Sequence, residues 1–167
     1  MPGFDYSQNG YYFITICIKN RIHWFGSIQK NNVNYSPLGL FAINTFQNIP
    51  KFYLNVSTDK FVIMPNHIHG IIIIKNCVGT EHCSVPTNII NKQKIHTYGL
   101  LSKIIKSYKN SITTYARNAL HFNSFQWQRS YYDHIVRSEE SLHQIQYYIQ
   151  NNPLHWDTDE ENLQYVA

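Results

Sequence analysis

Two histidines one residue apart, His67 and His69, open a four-isoleucine run in the stretch MPNHIHGIIII, residues 64–74. On a β-strand, side chains two apart share a face. The two imidazoles would therefore project side by side while Ile68 points to the opposite face. Neutral imidazole is the commonest protein metal ligand, so two of them on one rigid strand are half of a metal site. A bland reading competes with this one. Nine histidines in 167 residues make close pairs by chance, and an isolated pair of this kind is usually exposed at a sheet edge. The adjoining apolar run and the Pro65-Asn66 turn signal favour the metal.

Such a metal needs a nucleophile or a substrate anchor to serve. The segment HQIQYYIQNNP, residues 143–153, places Gln144, Tyr148 and Asn152 at i, i+4 and i+8, and residues four apart share a helix face. Tyr148 is the candidate nucleophile, and Asn152 an oxygen ligand or phosphate positioner. Pro153 disfavours a helical conformation at the residue before it, which puts Asn152 at a frayed helix end. Tyr147 competes for the nucleophile role, but on a helix it points about 100° away from Tyr148.

The elements that must position these groups are readable from periodicity. Residues 11–18, YYFITICI, are aromatic and β-branched and predict a buried strand. Residues 19–36 are polar and end in Ser36-Pro37, a helix-start signal. Apolar spacing predicts a helix over 38–49, ended by Pro50, then a weak extended segment over 52–56. Strands are predicted over 59–64 and 68–75, paired antiparallel through the Pro65-Asn66 turn. Residues 76–97 read as a long polar loop. Residues 98–116 carry a clear amphipathic helical pattern. A loop and a fourth strand span 125–136. Ser138-Glu139-Glu140 caps a last helix running to about residue 151, followed by a short tail from about 154 to 167.

The resulting order, βαββαβ plus a helix, predicts an α+β fold. It is the ferredoxin-like split βαβ pattern, with an antiparallel sheet, helices on one face and an added C-terminal helix bearing the nucleophile. One domain over 1–167 fits the length. The apolar run is too short for a membrane span, and the N-terminal residues lack signal-peptide character, so a cytoplasmic protein is expected. Cys17, Cys77 and Cys83 do not suggest a disulfide framework, and Cys77, His82 and Cys83 lack the second cluster that a zinc site needs.

The net charge is +4 and the sequence pI about 8.9, which permits nucleic-acid binding without showing it. Thirteen Tyr and three Trp, with many Asn and Gln, suit stacking on unpaired bases and bonding to their edges. An AT-rich coding genome would give the same bias.

Taken together the motifs carry a resemblance. MPNHIHGIIII resembles the histidine–hydrophobic–histidine (HUH) strand of single-tyrosine transposases. FQWQRSYYDHIVRSEES, residues 125–141, with YIQNNP, residues 148–153, is similar to the C-terminal signature of REP-associated tyrosine transposases, and YYFITICIKNR matches at the start. The resemblance implies cleavage and rejoining of single-stranded or hairpin DNA through a 5′-phosphotyrosine. It implies Tyr148 as nucleophile, with Mg²⁺ or Mn²⁺ held by His67 and His69. In the related transposases a Gln four residues after the tyrosine is the third ligand; here Asn152 stands there, with a shorter side chain. Such proteins occur as monomers and as homodimers, and the chain itself does not choose between them.

Further DNA contacts are expected from Lys103, Lys106 and Lys109 on the amphipathic helix, and from Trp127, Arg129, Tyr131, His134 and Arg137. Each has a structural alternative: a solvated face for the lysines, core packing for Trp127, a surface ion pair for Arg137. Two other function classes compete. One is a domesticated DNA-hairpin binder that has lost catalysis, against which the intact His67, His69 and Tyr148 set argues. The other is an RNA-binding module, whose aromatic strand pattern is missing.

Overall fold

The structure is a computed structural model that describes residues 9–75 and 99–162. The long polar loop, with Cys77, His82 and Cys83, and the last five residues lie outside the described residues. The chain runs β1 (Gly10–Cys17), β2 (Gly26–Gln29), β3 (Asn32–Tyr35), α1 (Pro37–Gln47), α2 (Ile49–Phe52), β4 (Val56–Ile63) and β5 (His67–Ile74). It continues through α3 (Leu100–Asn118), β6 (Tyr132–Val136), α4 (Glu139–Asn151) and a 3₁₀ helix, Asn152–Thr158.

Four strands form one antiparallel sheet in the order β4-β5-β1-β6. This is the ferredoxin-like arrangement, with the histidine strand in the middle of the sheet. Period-2 alternation splits the sheet into two chemical faces. Tyr12, Ile14 and Ile16 of β1 and Ile68, Ile72 and Ile74 of β5 enter one core with Leu38, Ala42 and Phe46 of α1 and Ile104, Ile105, Tyr108 and Ile112 of α3. Burying each such aliphatic side chain is worth about 1.5–3 kcal/mol. Gly70 faces that core. A Cβ there would lie 2.5 Å from Phe46 Cζ, so the ring occupies the space a side chain would need. The opposite face carries Phe13, Thr15, Cys17, His67 and His69, and α4 covers part of it.

Local chemistry sets the helix ends. Ser36 accepts a hydrogen bond from Gly39 N–H with Pro37 at the first helical position, so α1 starts as the sequence signal predicts. Ser138 caps α4 by accepting from Ser141 N–H, with Glu139 and Glu140 in the first turn.

Three stretches differ from the sequence reading. Residues 19–36 are not merely polar loop: they contain the two-stranded ribbon β2–β3, whose turn residues Lys30 and Asn31 have φ of 50° and 63°. That is the double left-handed turn matching strand twist. Pro50, expected to end a helix reaching residue 49, instead sits in the first turn of the short helix α2, which takes in Phe52, the first residue of the segment expected to be extended. Asn152 is not frayed. Despite Pro153 it keeps helical angles, φ −55° and ψ −41°, because the chain passes directly from α4 into the 3₁₀ helix.

Candidate metal centre and nucleophile

β5 begins at His67, so both histidines lie in the regular ladder, opposite Cys17 and Thr15 of β1. His67 is fully buried and His69 nearly so. Each ring is held through Nδ1. His69 Nδ1 lies 2.8 Å from Thr15 Oγ1, its cross-strand neighbour. His67 Nδ1 lies 2.8 Å from Asn66 Oδ1. The Asn66 amide nitrogen donates to the carbonyls of Arg21 and Glu161, at 3.2 and 2.8 Å. Its oxygen must therefore accept, which assigns the His67 proton to Nδ1 and leaves a lone pair on Nε2. Fixing the ring through its far nitrogen is the usual way a ligating histidine is oriented.

Around that lone pair the donors are missing. His67 Nε2 is buried without a hydrogen-bond partner among the described residues, and so is Asn152 Oδ1. Asp159 Oδ2 is 4.0 Å from His67 Nε2 and accepts from Asn152 Nδ2 at 3.2 Å. Ligand atoms of His67, His69 and Asp159 all lie within 4.8 Å of one another. Two imidazoles and a carboxylate gather there, and the unpartnered Asn152 oxygen belongs to the residue bonded to that carboxylate. A cation satisfies such a set, and the residues present fit a divalent ion.

Burial drives both imidazoles toward the neutral form. His67 is pushed down to about 3 by desolvation, with the Arg21 guanidinium adding to the shift and the Asn152 side chain opposing it. His69 is pushed down to about 3 by desolvation, then by His67, with Asp159 opposing. Desolvation raises the Asp159 carboxyl against the opposing pull of Asn152, His69 and Arg21.

Tyr148 reaches this cluster from α4. Its hydroxyl is 3.2 Å from His69 Nε2. Phe13 stacks under His69 at 5.5 Å and meets Tyr148 edge-on at 6.2 Å, so one β1 side chain positions both rings. Tyr148 is 46% exposed, which leaves its oxygen on the wall of an open groove of about 700 Å³. Burial and the Asp159 charge raise its phenol above the usual value. Tyr147 is 70% exposed and takes no part in these contacts, so the helix geometry separates the two tyrosines as expected.

The structure brings His67, His69, Tyr148 and Asn152 together and scatters the other candidates. Lys103 and Lys106 are exposed on the outer side of α3, across the sheet from the histidines, beside a second groove of about 720 Å³. Lys109 is engaged: Nζ donates to the carbonyls of Gln128 and Ser130 and sits 5.7 Å from the Trp127 ring centroid. Trp127 packs against Phe25 and Phe125, and its Nε1 donates to Lys109 O and Thr113 Oγ1. The packing alternative therefore describes Trp127. The Tyr131 hydroxyl pairs with Ser102 at 2.9 Å. Arg129 is exposed. His134 stands opposite Phe13 on edge strand β6, hence on the histidine face, and with Arg137 lines a cleft of about 470 Å³. Arg137 makes no ion pair among the described residues.

Sequence reasoning missed Asp159, Asn66, Thr15 and Tyr132. Asp159 arrives because the segment expected as a tail forms the 3₁₀ helix and folds back, Arg21 pairing with Glu161 and Asn162 Nδ2 donating to Trp156 O. Its only sequence signal is the acidic group Asp157, Asp159, Glu160 and Glu161. Tyr132, 60% exposed, lies opposite Thr15 on the histidine face and lines the same groove.

No family model matches the chain. An uncharacterized protein of Haemophilus influenzae is 41% identical over 161 residues, covering 94% of this chain and 87% of that one. Among solved structures, a REP-associated tyrosine transposase bound to a REP hairpin superposes with a TM-score of 0.55 at 15% identity, over 92% of this chain and 73% of that one. A Deinococcus radiodurans structure aligns with a TM-score of 0.47 at 16% identity, over 90% and 96%. No helix among the described residues is long and apolar enough to cross a membrane.

Proposed function

We propose, for a chain that belongs to one family with the Haemophilus influenzae protein and has the fold of a REP-associated tyrosine transposase, that it cleaves and rejoins single-stranded DNA through Tyr148. The observation that carries this reading is the Tyr148 hydroxyl 3.2 Å from His69 Nε2, at the edge of a set of converging potential ligand atoms. DNA at hairpin-forming repeats is the proposed substrate, because the transposase of the same fold is bound to a REP hairpin.

His67 Nε2, His69 Nε2 and Asp159 would hold the ion, with Asn152 Oδ1 as a further oxygen ligand. When bound, a divalent ion supplies Lewis acidity and neutralises charge on the scissile phosphate. The two imidazoles suit Mn²⁺ somewhat better than Mg²⁺, which favours an all-oxygen shell. Thr15 and Asn66 keep the lone pairs aimed inward. Phe13 fixes the phenol against His69, so the Tyr148 oxygen meets the phosphate from a constant direction. A phenol has an ordinary pKa of about 10 and is a weak nucleophile until its proton is lost. Attack by the Tyr148 oxygen forms the P–O(Tyr) bond and breaks the P–O3′ bond. The 3′ oxygen leaves with a proton, and the 5′ phosphate remains on the tyrosine. Attack by a 3′-OH reverses the step, so strand transfer needs no external energy. The exposed Tyr132 ring beside the groove offers a stacking platform for an unpaired base.

The test is a covalent-adduct assay with Mn²⁺ and a labelled oligonucleotide carrying a hairpin repeat from the DNA flanking the gene. Wild type and Tyr147→Phe are expected to give a denaturation-resistant adduct, and Tyr148→Phe none. An adduct formed by Tyr148→Phe refutes the assignment. Hairpin binding by wild type with neither nicking nor adduct marks the non-catalytic binder instead.

A further inference from the structure

The β2–β3 ribbon serves no purpose in the chemistry above, and its exposed face has an unusual composition. Cross-strand pairing sets Ser27 opposite Asn34 and Gln29 opposite Asn32. All four are exposed, while Ile28, Val33 and Tyr35 turn toward the body. The outer face of the ribbon is thus made of one hydroxyl and three amides. Asn32 spends its amide on the turn, donating to Lys30 O. The side-chain amides of Gln29 and Asn34 make no hydrogen bond among the described residues and are exposed, so their donors and acceptors are open to solvent.

The ribbon is rigid at its base and placed beside the metal strand. Ser36 N–H donates to Phe25 O at 2.9 Å and Ser36 Oγ to Trp24 O at 2.7 Å. At Gly26 a Cβ would lie 2.1 Å from Asn34 O, so the two strands close only with glycine there. Phe25 N–H donates to Pro65 O at 3.0 Å, immediately before Asn66 and His67. His23, just upstream, meets Trp156 of the 3₁₀ helix at 5.4 Å between ring centroids. Whatever the ribbon holds is therefore positioned relative to the site.

Charge and size select the occupant. Residues 6–58 contain no Asp or Glu; Arg21 is paired with Glu161, and Lys30 is the exposed cation of the ribbon itself. Lys30 stands at the tip of the ribbon. Strands of four residues span about 13 Å, and the major groove of B-form DNA, about 12 Å wide, admits a two-stranded ribbon. There Asn and Gln make paired hydrogen bonds to adenine N6 and N7. The deep, narrow major groove of A-form RNA does not admit side chains this way.

We propose that the β2–β3 ribbon is a base-reading element that enters the major groove of a DNA hairpin stem and reads it through Gln29 and Asn34. This rests on the reading of the chain as one that acts on hairpin DNA. Lys30 contributes affinity without sequence preference.

The experiment uses the full chain and a pool of DNA hairpins with randomised stems, a constant loop and a constant single-stranded flank. Bound stems are sequenced, and adduct on the flank is scored separately. Wild type is expected to enrich particular stems. Gln29→Ala/Asn34→Ala is expected to lose roughly fivefold or more of that enrichment per amide, with adduct formation unchanged. Lys30→Ala is expected to weaken all stems alike. Identical stem selection by wild type and the double variant overturns the proposal, as does wild type that forms adduct without stem preference. Stem selection through Gln29 and Asn34 with no adduct supports the ribbon and removes only the cleavage reading. No binding to any hairpin overturns both.

Discussion

The buried, neutral histidine pair makes acid the sharpest probe of the site. In the unfolded chain each imidazole titrates near its ordinary value, about 6.5. In the folded protein both are pushed down to about 3 by burial. Below about pH 6.5 the unfolded chain therefore binds more protons than the folded one, and stability falls as the pH falls. It is fully present above 6.5 and is lost progressively toward 3. Linkage gives about 2 kcal/mol per histidine between pH 7 and 5, or about 4 kcal/mol for the pair. That is a large share of the ~5–15 kcal/mol that holds a domain together. Asp159 works in the opposite sense. Its raised carboxyl pKa favours the folded state in acid and offsets part of the loss. The assay is urea unfolding of metal-free wild type and His67→Gln/His69→Gln at pH 7, 6 and 5. The difference in unfolding free energy between the two proteins should narrow or invert by about 4 kcal/mol across that range. Ring resonances of both histidines in wild type should show no titration above about pH 4. Mn²⁺ at a hundred times its Kd should add about 2.7 kcal/mol to wild type and nothing to the variant. A pH-independent difference between the two proteins would falsify the idea that two neutral lone pairs face the centre.

Three further outcomes follow from named contacts. Thr15→Val removes the partner of His69 Nδ1 and should weaken Mn²⁺ binding tenfold or more, read by calorimetry, with the fold retained; unchanged affinity removes Thr15 from the site. Asp159→Asn takes the anionic oxygen from the cluster and should lower Mn²⁺ affinity more than Asn152→Ala does, and the reverse order would make Asn152 the principal oxygen ligand. Gly70→Ala pushes a methyl against Phe46 on the core side and should cost about 1–3 kcal/mol in thermal or urea unfolding, while leaving metal affinity within a factor of two or three.

What was legible in the sequence was periodic. The i, i+2 rule for a strand puts His67 and His69 on one face and Ile68 on the other, and the i, i+4, i+8 spacing on α4 puts Tyr148 and Asn152 on one side. These are local geometries that a strand or helix imposes on its own residues. The ribbon was missed because its strands have four residues each and are mostly polar, and because Lys30-Asn31 lacks the glycine that usually marks such a turn. Asn66 sits beside His67 in the chain and was read only as a turn residue. Asp159 and Thr15 were missed for another reason. Their roles come from tertiary returns, Thr15 through the β1–β5 register and Asp159 through a 3₁₀ segment that closes on Arg21 and Asn66. No window of sequence contains both partners. Trp127 and Lys109, two of the expected DNA contacts, are engaged with each other and with backbone carbonyls, an arrangement that composition cannot reveal.

Strand β5 also has a part in choosing the fold. Its even positions, Ile68, Gly70, Ile72 and Ile74, belong to the oily side, and His67 and His69 to the other. A slip of one residue in either of its two pairings would exchange the faces. Two imidazoles would then face the core that holds Phe46, turned away from Thr15, and the space left by Gly70 would have to admit a side chain. A misaligned sheet is thus penalised twice, by an unsatisfied polar pair and by a clash. The two histidines act as the proofreading marks of the ladder, so replacing them with apolar side chains should make the chain more tolerant of wrong alignments while it refolds.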